Sequence, residues 1–347
     1  MHALGRLEDL PPDYVNALAK HHLMPLWPAL RSMLPPGIPA RQTQLVHWPY
    51  AAIKPLLLRA GELTPIEKAE RRVLVLTNPG HGLDSMKASP AIYLGMQLLL
   101  PGEWAPAHRH TPNAVRMIVE GTDATTTVNG ECCPMERGDL ILTPTGQWHE
   151  HEHTGSEPVV WLDVLDLPLM VYAEVSYAEE GQRQVKRAGR GDERYRRAGV
   201  VPTRHFERAR ERYPMLRYPW RDVRETLLAN ASALPREAPV EVTYVNPDTG
   251  EDAENNLGFY ALMLRPGERR RLPARSPAQV FHVIEGGCTL TAAGHVLTLT
   301  EADTCAVPGY EALTLENASA REGCFLFVVD EAPLHRKLGV YEVRHQP

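Results

Sequence analysis

The chain has 347 residues, 43% of them hydrophobic, which is enough for two or three cores. Its formal net charge of −6 argues against nucleic acid as the main partner, and no run of eighteen apolar residues predicts a membrane span. Five cysteines (Cys132, Cys133, Cys288, Cys305, Cys324) form an odd set without CxxC spacing, and the opening MHALGRLEDLPPDY lacks a basic-then-apolar signal pattern, so the expectation is a cytoplasmic protein with reduced thiols.

In chain order, residues 13–34 place Val15, Leu18, Leu23, Leu26, Leu30 and Met33 at helical spacing, with Pro25 and Pro28 predicted to break the helix. His21 and His22 on that segment read as surface residues. Thr64 and Glu67, flanking Pro65, predict a helix start with a capping box. Arg71 and Arg72 then lead into a strand at Val73–Leu76. The run AIYLGMQLLL at 91–100 is a strand on which Tyr93, Gly95 and Gln97 share one face. A glycine and a glutamine beside an aromatic predict a ligand-facing wall; a bulge with a hydrogen-bonded core glutamine fits equally well.

The next stretch carries the chemistry. His108 and His110 are two apart in an extended segment and so point the same way; His149, His151 and His153 again share one parity. If the two segments are neighbouring strands, three or four imidazoles converge. Imidazole suits zinc, copper, iron and nickel, and three such ligands with open positions describe a catalytic centre.

The spacing is specific. Gly102, five residues, His108, one, His110, three, Ala114, six, Gly121 resembles the first cupin signature, with Ala114 where many cupins carry a glutamate. Gly138, five, Pro144, one, Gly146, two, His149, three, His153 resembles the second, with His153 in place of Asn. Gly102, Gly121 and Gly138 are expected at tight turns. Between Gln182 and Glu225 fourteen Lys or Arg stand against six Asp or Glu, and without an aromatic platform this reads as a solvated connector or subunit interface. The first signature then recurs 165 residues on, as Gly267, Pro273, Arg275, Gln279 and Gly286, while Pro308 and Asn317 echo Pro144 and His153. Pro273, Arg275 and Leu313 now occupy the ligand positions, so the second copy keeps the barrel and loses the metal.

The expected fold class is therefore all-β with helical additions: two cupin barrels (double-stranded β-helix, jelly-roll), a bicupin. Its divisions are an N-terminal helical segment with lead-in strands (1–90), an N-terminal barrel with the metal site (91–173), a helical, basic connector (174–238) and a C-terminal barrel without ligands (239–347).

The runs PAHRHTPNAVR, GDLILTP, WLDVLD, AERRVLVL, LRYPW and YVNPDTG in this order resemble the gentisate and salicylate 1,2-dioxygenases over nearly the whole chain. The resemblance implies a ring-cleaving dioxygenase with Fe(II) on His108, His110 and His149. Its substrates would be O2 and a small aromatic hydroxy-carboxylate, gentisate or a 5-substituted salicylate, opened between the carboxyl-bearing and hydroxyl-bearing carbons. It also implies a homo-oligomer, a tetramer, with neither nucleic acid nor membrane as partner. Arg116, which shares the parity of His108 and His110, would clamp the carboxylate, with Arg72 as a second cation and Arg71 as its fallback. Tyr93, Gly95 and Gln97 would line the ring pocket, His151 would exchange a proton with the bound species, and Asp163 would orient that histidine or a ligand. The chain departs from the family at WHEHEH, at Leu94 and at Val164, the last two expected to add bulk beside the ring. Two other functions compete: a non-redox metal isomerase or hydrolase, which would commonly keep the glutamate that Ala114 replaces, and a ligand-binding cupin without catalysis.

Overall fold

A computed structural model describes residues 4–187, 189, 191–197, 199–203 and 212–344; the part of the basic connector at 204–211 lies outside these described residues. The chain divides into two compact units, 1–42 and 43–347. In the first, helix α1 (Pro12–Lys20) ends well before Pro25, and a single turn, α2 (Leu30–Met33), follows Pro28. The helix is thus broken as expected, but its end lies five residues upstream of Pro25, and His21 and His22 are exposed.

The second unit opens with β1 (Val46–Trp48), helix α3 (Tyr50–Leu63), the short α4 (Ile66–Ala69) and β2 (Val73–Val75). The capping box expected at Thr64 is absent. Helix α3 runs to Leu63, so Thr64 closes it, donating its N–H to the Ala60 carbonyl, and Pro65 precedes α4 without a side-chain cap. The first barrel follows as β3 (Tyr93–Leu99), β4 (Trp104–His110), β5 (Ala114–Glu120), β6 (Ala124–Val128), β7 (Glu131–Met135), β8 (Leu140–Thr143), β9 (His149–His153) and β10 (Val159–Leu165). Gly102, Gly121 and Gly138 turn the chain between these strands with φ of 77°, 95° and 84°, a region open to glycine.

Two facing sheets make this barrel. One has the order β8-β5-β10-β3-β2, extended at its β8 edge by β12 (Arg217–Tyr218) from the connector. The other has the order β4-β9-β6-β7, extended at β4 by β11 (Ala178–Glu180). Helix α5 (Leu167–Tyr172) follows β10, and α6 (Trp220–Ala233) leads to β13 (Val240–Thr243) and the second barrel. That barrel is built from β14 (Gly258–Leu264), β15 (Arg269–Leu272), β16 (Ala274–Arg275), β17 (Gln279–Glu285), β18 (Cys288–Ala292), β19 (His295–Leu299), β20 (Thr304–Val307), β21 (Leu313–Glu316) and β22 (Cys324–Asp330), with β14, β17, β20 and β22 in its larger sheet. β1, although it precedes the first barrel in the chain, pairs with β20 of the second. The start of this unit therefore ties the two barrels together. His47 and the Tyr50 N–H both bond the Asp303 carboxylate across that seam. Among the described residues no helix is long and apolar enough to cross a membrane.

One apolar core runs through both barrels, and Leu94 and Val164 sit in it as cross-strand partners. They alternate with Gly95 and Asp163, so their bulk faces the second barrel and leaves the ring site unaltered, contrary to expectation. Glu254 is buried at the same junction with Asp166 and Asn113, one of its oxygens lacking a hydrogen-bond partner. Burial, reinforced by Asp166, pushes its carboxyl well above the ordinary range. A raised folded-state value means the folded chain holds a proton that the unfolded chain has lost, so this group erodes stability as pH climbs from about 4.3 toward the folded value. Glu254→Gln removes that slope. At pH 8 it should melt ~2–4 °C above wild type, with the gap closing near pH 4; a wild type more stable at pH 8 would contradict this placement.

Candidate active site

The first barrel holds its chemistry between its two sheets. Strands β4 and β9 pair antiparallel with His108 opposite His149, so the alternation that aligns His108 with His110 brings all three rings onto one inner face. Ring centroids lie 4.4 Å apart for His108 and His149, 4.8 Å for His110 and His149, and 5.3 Å for His108 and His110. One donor nitrogen from each ring falls within 4.8 Å of the others, the only such cluster of potential metal ligands among the described residues.

The electronics suit a cation. Burial, with Arg71 next in effect, pulls His108 down to about 2; burial and Arg116 pull His110 down to about 4 and His149 well below the usual range. All three are therefore neutral, as a metal ligand must be. The Nδ1 atoms of His110 and His149 lie 2.7 and 3.0 Å from the carbonyls of Pro112 and Gln147. Those acceptors place the proton on Nδ1 and leave Nε2 bare. The His149 Nε2 is buried without a protein partner, as fits a nitrogen that holds a metal ion.

His108 is different. Its Nδ1 receives a bond of 2.8 Å from Arg71, whose guanidinium also donates to the Pro106 carbonyl at 2.6 Å. A guanidinium can only donate and a neutral imidazole has one lone-pair nitrogen. Arg71 and a metal therefore compete for the same ring.

The opposite sheet supplies the cations. Arg116 on β5 is buried, with Nη1 donating to the Thr143 hydroxyl and Nε facing an Asp163 oxygen at 3.2 Å. Arg116 lies on the sheet facing β4 and β9, and its charge helps hold His110, His149 and His151 neutral. Asp163 also accepts the Trp161 indole N–H at 2.9 Å, and burial raises its carboxyl to about 6 against the pull of Arg116. Asp163 was expected to orient a histidine. No hydrogen bond joins it to one among the described residues; it aims Arg116 instead.

Arg72 requires a second correction. It lies 3% exposed with both terminal nitrogens on the Glu103 carboxylate, at 2.9 and 2.6 Å, and Nε on the Thr64 carbonyl. Its neighbour Arg71, the fallback, is the one that reaches the histidines. On β3, Gly95 and Gln97 stand opposite Asp163 and Trp161 of β10. A Cβ on Gly95 would come within 2.5 Å of Val73 Cγ1 and 2.9 Å of the Tyr93 hydroxyl, so glycine is needed to let these walls approach. Gln97 is buried with its side-chain nitrogen unpartnered.

His153, expected as a possible fourth converging imidazole, instead bonds turn backbone: its Nε2 lies 2.6 Å from the Glu157 carbonyl. Asn317 does the same work in the second barrel, donating to the carbonyls of Leu264, Arg265 and Glu322. Thr143 and Trp161 escaped sequence reasoning. Trp161 shares parity with Asp163 two residues on, a readable signal, whereas nothing local marks Thr143.

A model of the cupin domain matches residues 95–165. A gentisate 1,2-dioxygenase from Ralstonia sp is 66% identical over 343 residues, spanning 99% of this chain and 97% of that protein. The chain belongs to the gentisate 1,2-dioxygenase family. Among its more distant relatives, a 5-aminosalicylate 1,2-dioxygenase from Comamonas sp is 32% identical over 85% of this chain and 79% of its own length. The crystal structure of salicylate 1,2-dioxygenase from Pseudoaminobacter salicylatoxidans, in adducts with gentisate, is 30% identical and superposes with a TM-score of 0.87 over 97% of this chain and 95% of that one.

Among its described residues, the second barrel of this gentisate 1,2-dioxygenase family member has no comparable cluster of ligands. Leu313, at one ligand position, pairs with Leu272, and Tyr260, 165 positions beyond Gly95, lines a cavity there with Pro273 and Arg275. Its hydroxyl takes bonds from Arg275 at 2.8 Å and Gln279 at 2.9 Å, and Arg275 pairs with Asp330. Metal analysis of the loaded protein should give at most one tightly held ion per chain. A second ion mapping to Arg275 and Leu313 would overturn this.

Proposed function

We propose that the chain is an Fe(II)-dependent dioxygenase that opens the ring of gentisate or a 5-substituted salicylate between its carboxyl-bearing and hydroxyl-bearing carbons. The observation that carries this is the pairing of three neutral imidazoles on one sheet with the buried Arg116 on the facing sheet. Neutral ligands leave the full charge of a divalent ion in place, and a guanidinium opposite completes a site for an anion with two adjacent oxygens. Iron on His108, His110 and His149 supplies, when bound, the chelation of both substrate oxygens and the electrons that activate O2.

The protein's own groups do the rest. Arg116, aimed by Asp163 and Thr143, holds the carboxylate through its planar fork. With His108 serving as a metal ligand, Arg71 would give up its bond to that ring, because one lone pair cannot serve both, and its guanidinium would then be available as a second cation for the same anion. Gln97 offers its unpartnered amide and Tyr93 its ring to the substrate, with Gly95 keeping the wall open. His151, buried beside Trp161, faces the bound species. Assembly as a homo-tetramer belongs to this proposal, as does a cytoplasmic setting, which five unbridged cysteines support.

The test is metal analysis of anaerobically purified protein, followed by O2 uptake with gentisate, salicylate and 5-amino-, 5-nitro- and 5-halosalicylates. Iron-dependent uptake with at least one of them is expected. Metal-bound protein that consumes no O2 with any would favour a non-redox cupin.

A further inference from the structure

The inner face of β6 reads Ala124, Thr126, Val128, set against His153, His151 and His149 on β9. Thr126 is the one polar residue of that row, and it is completely buried. Its hydroxyl lies 3.0 Å from His151 Nδ1 and 3.5 Å from Met135 Sδ on the neighbouring strand. No other hydrogen-bond partner touches either nitrogen of His151 among the described residues; its Nε2 is buried and bare. Ala105 opposes the ring on β4, and Trp161, 5.1 Å away, has already given its N–H to Asp163.

Resting on the function proposed above, we infer that Thr126, backed by Met135, is a positioning residue that holds His151 as its Nδ1–H tautomer and presents the Nε2 lone pair to the cavity. A threonine hydroxyl donates once and accepts through two lone pairs. If it donates to His151, the ring proton moves to Nε2, where no acceptor waits among the described residues and where the charges acting most on the ring, Arg116 and Arg71, are both positive. If it donates to Met135 Sδ, it accepts from Nδ1–H and every donor in the row is matched. A bare Nε2 then faces two cations, the favourable sense of that dipole. A buried, unmatched N–H costs more than an idle thioether, so the second arrangement prevails. In it, His151 accepts a hydrogen bond from a hydroxyl of the bound aromatic.

Two-bond 1H–15N correlation spectra of full-length, metal-free protein carrying 15N-histidine read the tautomer directly, with His151→Gln assigning the signal. Wild type should show a protonated, pyrrole-type Nδ1 and a pyridine-type Nε2. Thr126→Val should bring the two nitrogens toward averaged positions, and Thr126→Ser should restore the wild-type pattern. In steady-state kinetics Thr126→Val should lose ~10–100-fold in kcat, as is usual for the outer partner of a working histidine, with KM and iron content near wild type and rescue by Ser. Should Thr126→Val fail to fold, Met135→Leu, which leaves the hydroxyl only Nδ1 to donate to, should give the same averaging. A wild-type ring protonated at Nε2, or an unaltered pattern in the variants, overturns the inference. Because the spectra need neither iron nor substrate, they stand apart from the function itself, whose failure would appear as an inactive wild type.

Discussion

Replacing His149 by Ala is expected to abolish iron binding and turnover together while the barrel stays folded. His149 is fully buried and its Nδ1 bonds the Gln147 carbonyl, but its Nε2 is unpartnered, so the metal-free fold loses one hydrogen bond and some packing while the apolar core around it is untouched. Altering a mere outer partner of a ligand costs 10–100-fold, and removing a ligand should exceed ~100-fold. Calorimetry separates binding from folding. Anaerobic Fe(II) should raise the melting temperature of wild type and leave that of His149→Ala unmoved, since only a folded state that binds the ion gains from it. Equal shifts in both, or normal iron content in the variant, would place the metal elsewhere.

Arg116→Ala should be nearly as damaging for another reason. The guanidinium holds Asp163 on one side and, in the proposed function, the substrate carboxylate on the other. Truncating one member of a buried charged pair costs about 2–5 kcal/mol, a factor of roughly 30 to several thousand in binding. Iron shares the affinity, so the lower half of that range is expected in binding, with a further loss in kcat as the ring tilts. Iron content should stay normal. Stability should fall too, because Asp163 is left buried without its cation. Arg116→Lys should rescue little, since an ammonium cannot span Thr143, Asp163 and a carboxylate at once. The double variant Arg116→Ala with Asp163→Asn distinguishes the two roles: it should recover melting temperature and leave activity low. Wild-type kinetics in Arg116→Ala would pass the clamp to Arg71 alone.

The cluster of three histidines was legible because strand alternation is strict and the spacing on β4 and β9 leaves only one inner face. The loss of the histidine set from the second barrel was legible because Pro273, Arg275 and Leu313 stand in the sequence at its places. The arginine pair was not. Which face of β2 meets the site, and so the choice of Arg71 over Arg72, follows from Val73 and Val75 standing opposite Gln97 and Gly95, a register that no local pattern carries. Leu94 and Val164 misled because their strands are covered on both faces, one by the site and one by the second barrel, so an apolar residue reads the same in either direction. Asp163 was placed at the site by the WLDVLD run, but whether it serves a histidine or Arg116 depends on β5 lying beside β10, a pairing that no local pattern carries. Thr126 stands among three consecutive threonines, and only the register with β9 singles it out.

The most direct test is the fate of isotopic oxygen. Iron-loaded protein turning over gentisate under 18O2 should yield a ring-opened product that carries both atoms of one O2. One lies in the new carboxylate on the former hydroxyl-bearing carbon, the other in the new ketone on the former carboxyl-bearing carbon. The ketone oxygen exchanges with water, so the carboxylate is the label to read by mass spectrometry of the promptly quenched product. Label in that carboxylate, absent in His149→Ala, is the predicted result; an intact ring, or a carboxylate oxygen drawn from water, would contradict the account.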